Sequence, residues 1–327
     1  MTTIHNPHDR FVRRAFTRPE VASPFFERYL PSSILDTLDL GALRLENETF
    51  VDDELQLQQS DLLFTVPLRG GRQAYLYLLL EHKSQNDVWT PAQLLSYLDR
   101  IWARERAPRA SKPPLTPVIP LVLFHGEASW SAVGNFRELV NPPEALACFT
   151  PGFRYLLCDL NREQLDDLQQ RVWLAFTLQV LKFSRSDELA RRLPGIVALM
   201  ARLTHQWDDA LAFLATALRY LASVSQGLSE TTVREALYRA LPTSTGETLM
   251  STLAEIWKEQ GIEQGIEQGQ CRQLRQNLLR LLSSRFGPLP DHLQARIQAA
   301  DHATLDTWFE AALGAPSLEQ LFPDSRQ

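Results

Sequence analysis

From His8 to Tyr29 the apolar positions Phe11, Phe16, Val21, Phe25 and Tyr29 recur at intervals near one helical turn, and Pro19 and Pro24 interrupt them. The spacing predicts a broken pair of helices. From Leu43 the pattern shortens into extended runs: LRLENETFV, then DLLFTVPLR from Asp61, QAYLYLLLEHK from Gln73, and VIPLVLFHG from Val118. The last two are unbroken apolar blocks, as expected of strands covered on both faces. Between them, Pro91 to Arg106 sets Leu94, Leu95, Leu98 and Trp102 along one side of a predicted helix, with Pro91 suited to its first turn. A further run, FRYLLCDLN, reads as a strand ending near Asp159, and Tyr155 and Trp102 read as core residues. Past about residue 165 the strand pattern gives way to leucine- and alanine-rich helical periodicity. The expected architecture is a mixed α/β domain (1–165), a helical region (166–255) and a C-terminal helical segment (256–327).

That last segment opens with KEQGIEQGIEQGQ, Lys258 to Gln270, which repeats every four residues. On a helix the glycines 261, 265 and 269 form one stripe, with Ile262 and Ile266 on another. Each interior glycine costs about 1 kcal/mol against alanine. Such a helix needs a partner, and a smooth glycine stripe admits one closely. We therefore expect a homo-oligomer formed through the C-terminal helices; a flexible linker is the competing reading. The residues after the repeat predict a small helical hairpin broken at Gly287-Pro288.

Composition narrows the class. The chain has 327 residues, is 44% apolar and carries a net charge of −6. No long-range basic field gathers it onto nucleic acid, so any DNA contact has to be local. Three scattered cysteines, Cys148, Cys158 and Cys271, make neither a disulfide framework nor a zinc spacing, which fits a reducing cytoplasm. The sequence contains neither a signal-peptide core nor a membrane-length apolar run, so we expect a cytoplasmic protein with no membrane partner.

Candidate chemistry sits where the apolar block YLYLLL stops on Glu81, His82 and Lys83. Alternation places Glu81 and Lys83 on the side of Tyr77 and Leu79, with His82 opposite. Asp61 begins the preceding strand, joined through the Leu68–Arg72 hairpin signal. Parity decides whether the two carboxylates meet. A two-residue Gly70-Gly71 loop sets Asp61 opposite Leu80, facing away from Glu81, whereas an odd-numbered loop or a bulge brings them together. We expect the odd loop or a bulge, with Pro67 a candidate for the latter. Two close carboxylates suit Mg²⁺ or Mn²⁺, which lowers the pKa of a bound water and offsets charge on a phosphoryl oxygen. Lys83 then orients the water or stabilises the transition state. The chemistry indicated is phosphodiester hydrolysis.

On the following helix Gln93 and Tyr97 share a face directed at the strand ends. Arg100, Arg104, Arg106, Arg109 and Lys112 then form a basic run suited to DNA phosphates, although a solvated face is the commoner fate of such charges. His125 reads as a core or loop histidine near the same edge, and His8-Asp9 as a helix cap.

An acidic residue on one strand, E-x-K ending the next and Q-x-x-x-Y on the helix after it resemble the PD-(D/E)xK nuclease superfamily. HDRFVRRAF, SDLLFTVPLRGG, YLYLLLEHKS, VIPLVLFHG, the EQGIEQG repeat and RFGPLP…APSLEQLF together resemble the Rpn recombination-promoting nucleases, also labelled YhgA-like putative transposases. The likeness covers nearly the whole chain. It implies a restriction-endonuclease-like core with a mixed central sheet flanked by helices, Mg²⁺-dependent DNA endonuclease activity and a link to recombination. On that resemblance Asp61 and Glu81 are metal ligands, Lys83 the catalytic lysine, and Gln93 and Tyr97 supporting catalytic residues. Ser60 stands where the superfamily has its eponymous proline, which shapes backbone and does no chemistry. No third carboxylate completes a DDE-type triad. The alternative function is a catalytically silent oligomeric or DNA-binding module.

Overall fold

The structure is a computed structural model that describes residues 7–46, 62–81, 87–107, 114–125, 129–225, 228–287, 289–300, 302–314, 318 and 322. For some of these, Glu81 and residues 259–271 among them, the backbone alone is described. The chain divides into two compact units, Met1–Leu253 and Ala254–Gln327.

The first unit opens with α1 (Pro7–Phe16), α2 (Pro19–Tyr29) and α3 (Ser32–Leu35). Pro19 starts α2, where its missing N–H costs nothing, and Pro24 lies within that helix. The five strands follow: β1 (Arg44–Leu45), β2 (Leu62–Pro67), β3 (Gln73–Glu81), then α4 (Thr90–Arg106), β4 (Val118–Phe124), α5 (Phe136–Val140) and β5 (Leu156–Asp159). They form one sheet in chain order. β1, β2 and β3 pair antiparallel, and β3, β4 and β5 pair parallel. The mixed α/β sheet expected from the sequence is therefore present, and the helix-bearing crossover lies between the parallel strands, where it is required.

β2 and β3 are joined by a three-residue loop. Leu68 N–H donates to Arg72 C=O at 2.7 Å, Gly71 N–H returns to Leu68 C=O at 2.9 Å, and Gly71 sits at φ 86°. That positive φ is why a glycine stands there. Leu63 then faces Tyr77, Thr65 faces Tyr75 and Pro67 faces Gln73. The register is continuous through Pro67, so the loop alone sets the parity and Pro67 makes no bulge.

One face of the sheet carries Leu63, Tyr75, Tyr77, Leu79 and Val122 against Leu94, Tyr97 and Ile101 of α4. The other face is buried as well, with Leu76, Leu78, Leu80, Leu121 and Leu123 inside. There Phe64 meets Phe26 of α2 edge-on at 5.1 Å. This double burial is what the unbroken apolar runs of β3 and β4 predict.

The helices α6 (Val172–Phe183), α7 (Leu189–Ala201), α8 (Trp207–Val224) and α9 (Glu230–Ala240) complete the first unit, with α6 packed on α2 and α8 on α1. α10 (Thr243–Phe286) is helical throughout the glycine repeat and passes from the first unit into the second. It ends at Gly287, at φ 84°, and is followed by α11 (Asp291–Ala299) and α12 (His302–Gly314). Leu278, Leu282, Leu293, Ile297, Leu305 and Phe322 give the second unit a core of its own. Among the described residues no helix is long and apolar enough to cross a membrane.

Candidate functional site

The C-terminal ends of the parallel strands converge at one edge, the position where open α/β sheets place their ligands. Glu81 ends β3 and pairs in register with Phe124, which ends β4 and pairs with Asp159, the last residue of β5. Position 81 has the parity of Tyr75, Tyr77 and Leu79, the residues that meet α4. Asp61, His82 and Lys83 lie outside the described residues, as do Arg109 and Lys112. Among the described residues no group of three His, Cys, Asp or Glu side chains is placed to hold a metal ion.

α4 runs antiparallel to β3. Its C-terminal half is tied beside the start of β4 by Trp102 Nε1–H, which donates to Thr116 C=O at 2.8 Å. Further along, Tyr97 packs on Tyr77 with ring centroids 5.3 Å apart. From Tyr97 to Trp89 the helix rises about 12 Å, and from Tyr77 to Glu81 the strand rises about 13 Å. The first turn of α4 therefore stands level with the end of β3. Gln93, half-buried like Tyr97, lies between these two levels. Of the expectation that Gln93 and Tyr97 point at the strand ends, the observed contact is that of Tyr97 with Tyr77, four residues before Glu81.

Arg100, Arg104 and Arg106 are exposed, but they occupy the other half of α4, about 16 to 25 Å along its axis from Trp89. Arg106 is held by Asp99 at 3.4 Å and by Trp102 C=O at 3.2 Å. These three arginines thus lie on the half of α4 away from the Glu81 edge.

Two features of this edge were not evident in the sequence. His125, directly after β4, is buried and hydrogen-bonded to His8 of α1, Nε2 to Nε2 at 3.0 Å. His8 Nδ1 in turn lies 2.7 Å from the Tyr220 hydroxyl on α8. The sequence reading of His125 as a satisfied core histidine agrees with this contact, whereas His8 does more than open a helix. The second feature is Asp159, which is buried: its Oδ1 accepts from Asn161 N–H at 3.0 Å, and Oδ2 has the exposed Arg162 Nε at 3.4 Å without a hydrogen bond. Beside it, burial pushes the Cys158 thiol and the Tyr29 hydroxyl well above their ordinary values, so both stay protonated at neutral pH. Cysteine nucleophile chemistry at this edge is disfavoured on that ground.

A profile described as "Putative transposase, YhgA-like" matches residues 6–210. The chain belongs to the YhgA-like family. Curated relatives of this YhgA-like chain carry nuclease names. The recombination-promoting nuclease RpnD of Escherichia coli O157:H7 is 29% identical over 201 residues, 61% of this chain and 75% of the relative. RpnC of Escherichia coli K12, named in the same way, is 26% identical over 78% of this chain and 82% of its own length. RpnE of the same strain, named an inactive recombination-promoting nuclease-like protein, is 27% identical over 87% of this chain and 92% of its own. No solved structure matches.

Proposed function

We propose that this YhgA-like chain is a divalent-metal-dependent DNA endonuclease with a PD-(D/E)xK core, acting in recombination or on mobile DNA. Asp61 and Glu81 are the metal ligands, Lys83 the catalytic lysine, and Gln93 and Tyr97 supporting residues. The observation that carries the reading is the β2–β3 register. Leu63 faces Tyr77; the same pairing run two residues further would set Asp61 opposite Leu79 and on the parity of Glu81. A two-residue loop would have given the opposite result. The nuclease names of RpnD and RpnC support the same reading.

Two oxygen donors from neighbouring strands fit a hard cation. Bound there, Mg²⁺ or Mn²⁺ supplies Lewis acidity for the phosphoryl group and its attacking water. Lys83, two residues beyond Glu81 and of the same parity, supplies positive charge where the transition state gathers negative charge. Tyr97, held by Tyr77, and Gln93 above it present a hydroxyl and an amide on the helix face that meets the strand. Arg100, Arg104 and Arg106 serve phosphates farther along the duplex, spread over about half a turn or more of DNA. The C-terminal helices serve self-association.

Nicking of supercoiled plasmid tests the proposal. Activity with Mg²⁺ or Mn²⁺ that is lost on chelation and in Asp61→Ala supports it; activity that survives the substitution removes this site. The inactive name carried by RpnE favours one second reading, a silent DNA-binding or oligomeric module. DNA binding without turnover under every metal tried would establish that reading instead.

A further inference from the structure

Trp89 is the only exposed one of the chain's seven tryptophans, with 63% of its surface in solvent. Val88 beside it is also exposed, and together they form a two-residue apolar tip. Their backbone is held firmly. Asp87 Oδ1 accepts from Trp89 N–H at 2.9 Å, Asp87 C=O accepts from Thr90 N–H at 3.0 Å and from the Thr90 hydroxyl at 2.6 Å, and Trp89 C=O accepts from Gln93 N–H at 3.0 Å. Thr90 and Pro91, immediately behind, are buried. The Asp87 carboxylate is engaged in this turn rather than projected at a partner.

A large aromatic ring fixed by its own backbone yet left in water loses the stabilisation that burial would give it. It is also placed at one particular level. The rises of α4 and β3 bring Trp89, the N-cap of α4, level with the end of the strand that carries Glu81, and Gln93 and Tyr97 follow at four-residue steps along the chain.

We infer that Trp89, with Val88, is a DNA-contacting tip that presses its ring onto a base step of the duplex next to the phosphate being cut. This rests on the proposed nuclease function. Aromatic and apolar side chains are the groups that stack on or wedge between bases without reading sequence. Such a contact also compensates for a chain whose net charge of −6 gives it no long-range pull on DNA. The ring acts in binding and placement, not in bond breaking.

The test uses the full chain. Affinity for a fluorescently labelled blunt duplex is measured by anisotropy, alongside KM and kcat for plasmid nicking, in wild type, Trp89→Ala and Trp89→Phe. Trp89→Ala is expected to weaken duplex binding and raise KM by about 5- to 100-fold, with kcat changed much less, and Trp89→Phe to recover most of the loss. An active wild type whose Trp89→Ala variant binds and cuts with unchanged constants overturns the inference and leaves the nuclease reading intact. So does a Trp89→Ala variant that loses only self-association in light scattering, which would mark the tip as a contact between copies. A wild type that neither binds nor cuts DNA overturns both.

Discussion

At the scale of single residues, the His125–His8–Tyr220 chain joins groups 117 and 212 positions apart. Two ring nitrogens 3.0 Å apart hold one proton between them, so one ring donates and the other accepts. The Tyr220 hydroxyl completes the arrangement at the other nitrogen of His8, and Phe11 stacks on the Tyr220 ring at 4.8 Å. Deleting that hydroxyl leaves the packing and removes one buried hydrogen bond. Tyr220→Phe is therefore expected to cost about 1 to 2 kcal/mol, read as a lower urea midpoint at an unchanged slope. The sequence offered each histidine separately and gave no sign that they meet, because partners so far apart along the chain share no local periodicity. The Gln93–Tyr97 face, by contrast, was legible, since a spacing of four residues fixes neighbours on a helix whatever the tertiary context.

At the scale of elements, the hairpin is the most informative case. Parity turned one uncertain loop length into a choice between two faces, and Leu68–Arg72 pairing around Gly71 made the choice. The short β1 and the limits of β5 were less legible, because edge strands carry weak alternation and their extent depends on neighbours. Helix docking was not legible at all. Arg18, at the entrance of α2, donates to both Asp209 carboxylate oxygens on α8, at 2.6 and 2.5 Å, and lies over the Trp173 ring at 4.3 Å. These hydrogen bonds hold the Asp209 carboxyl below the usual carboxylate range. A depressed carboxylate contributes stability above its unfolded pKa, near 4, and loses it as pH falls through the folded value. Because Asp209 is half exposed, the contribution is about 0.5 to 1 kcal/mol. Asp209→Asn should be less stable than wild type at pH 7, and urea titrations run at falling pH should show the gap close once the pH has dropped below the ordinary carboxylate range.

At the scale of the whole molecule, the sequence set boundaries near residues 165 and 255; the compact division falls at Leu253, and the helices after 165 belong to the first unit, since α6 and α8 pack on α2 and α1. Leucine-rich periodicity announces helices but not which surface they cover. The second unit has a separate core, and Leu282 is fully buried within it. Leu282→Ala is expected to cost about 2 to 5 kcal/mol in that unit. Thermal unfolding should then show the loss of that unit's transition at lower temperature, with the remainder of the melt in place. The candidate site belongs wholly to the first unit, so the same variant should retain nicking activity at temperatures where the second unit is unfolded.

Glu81, the acidic residue that ends the central strand, is the proposed metal ligand on which the nuclease reading depends most. Single-turnover cleavage of a labelled duplex in Mg²⁺ by wild type and by Glu81→Gln, which keeps the shape and removes the charge, tests it most directly. The prediction is a rate reduced by about a hundredfold or more with duplex affinity nearly unchanged. A glutamine variant that cuts within about twofold of wild type would contradict it.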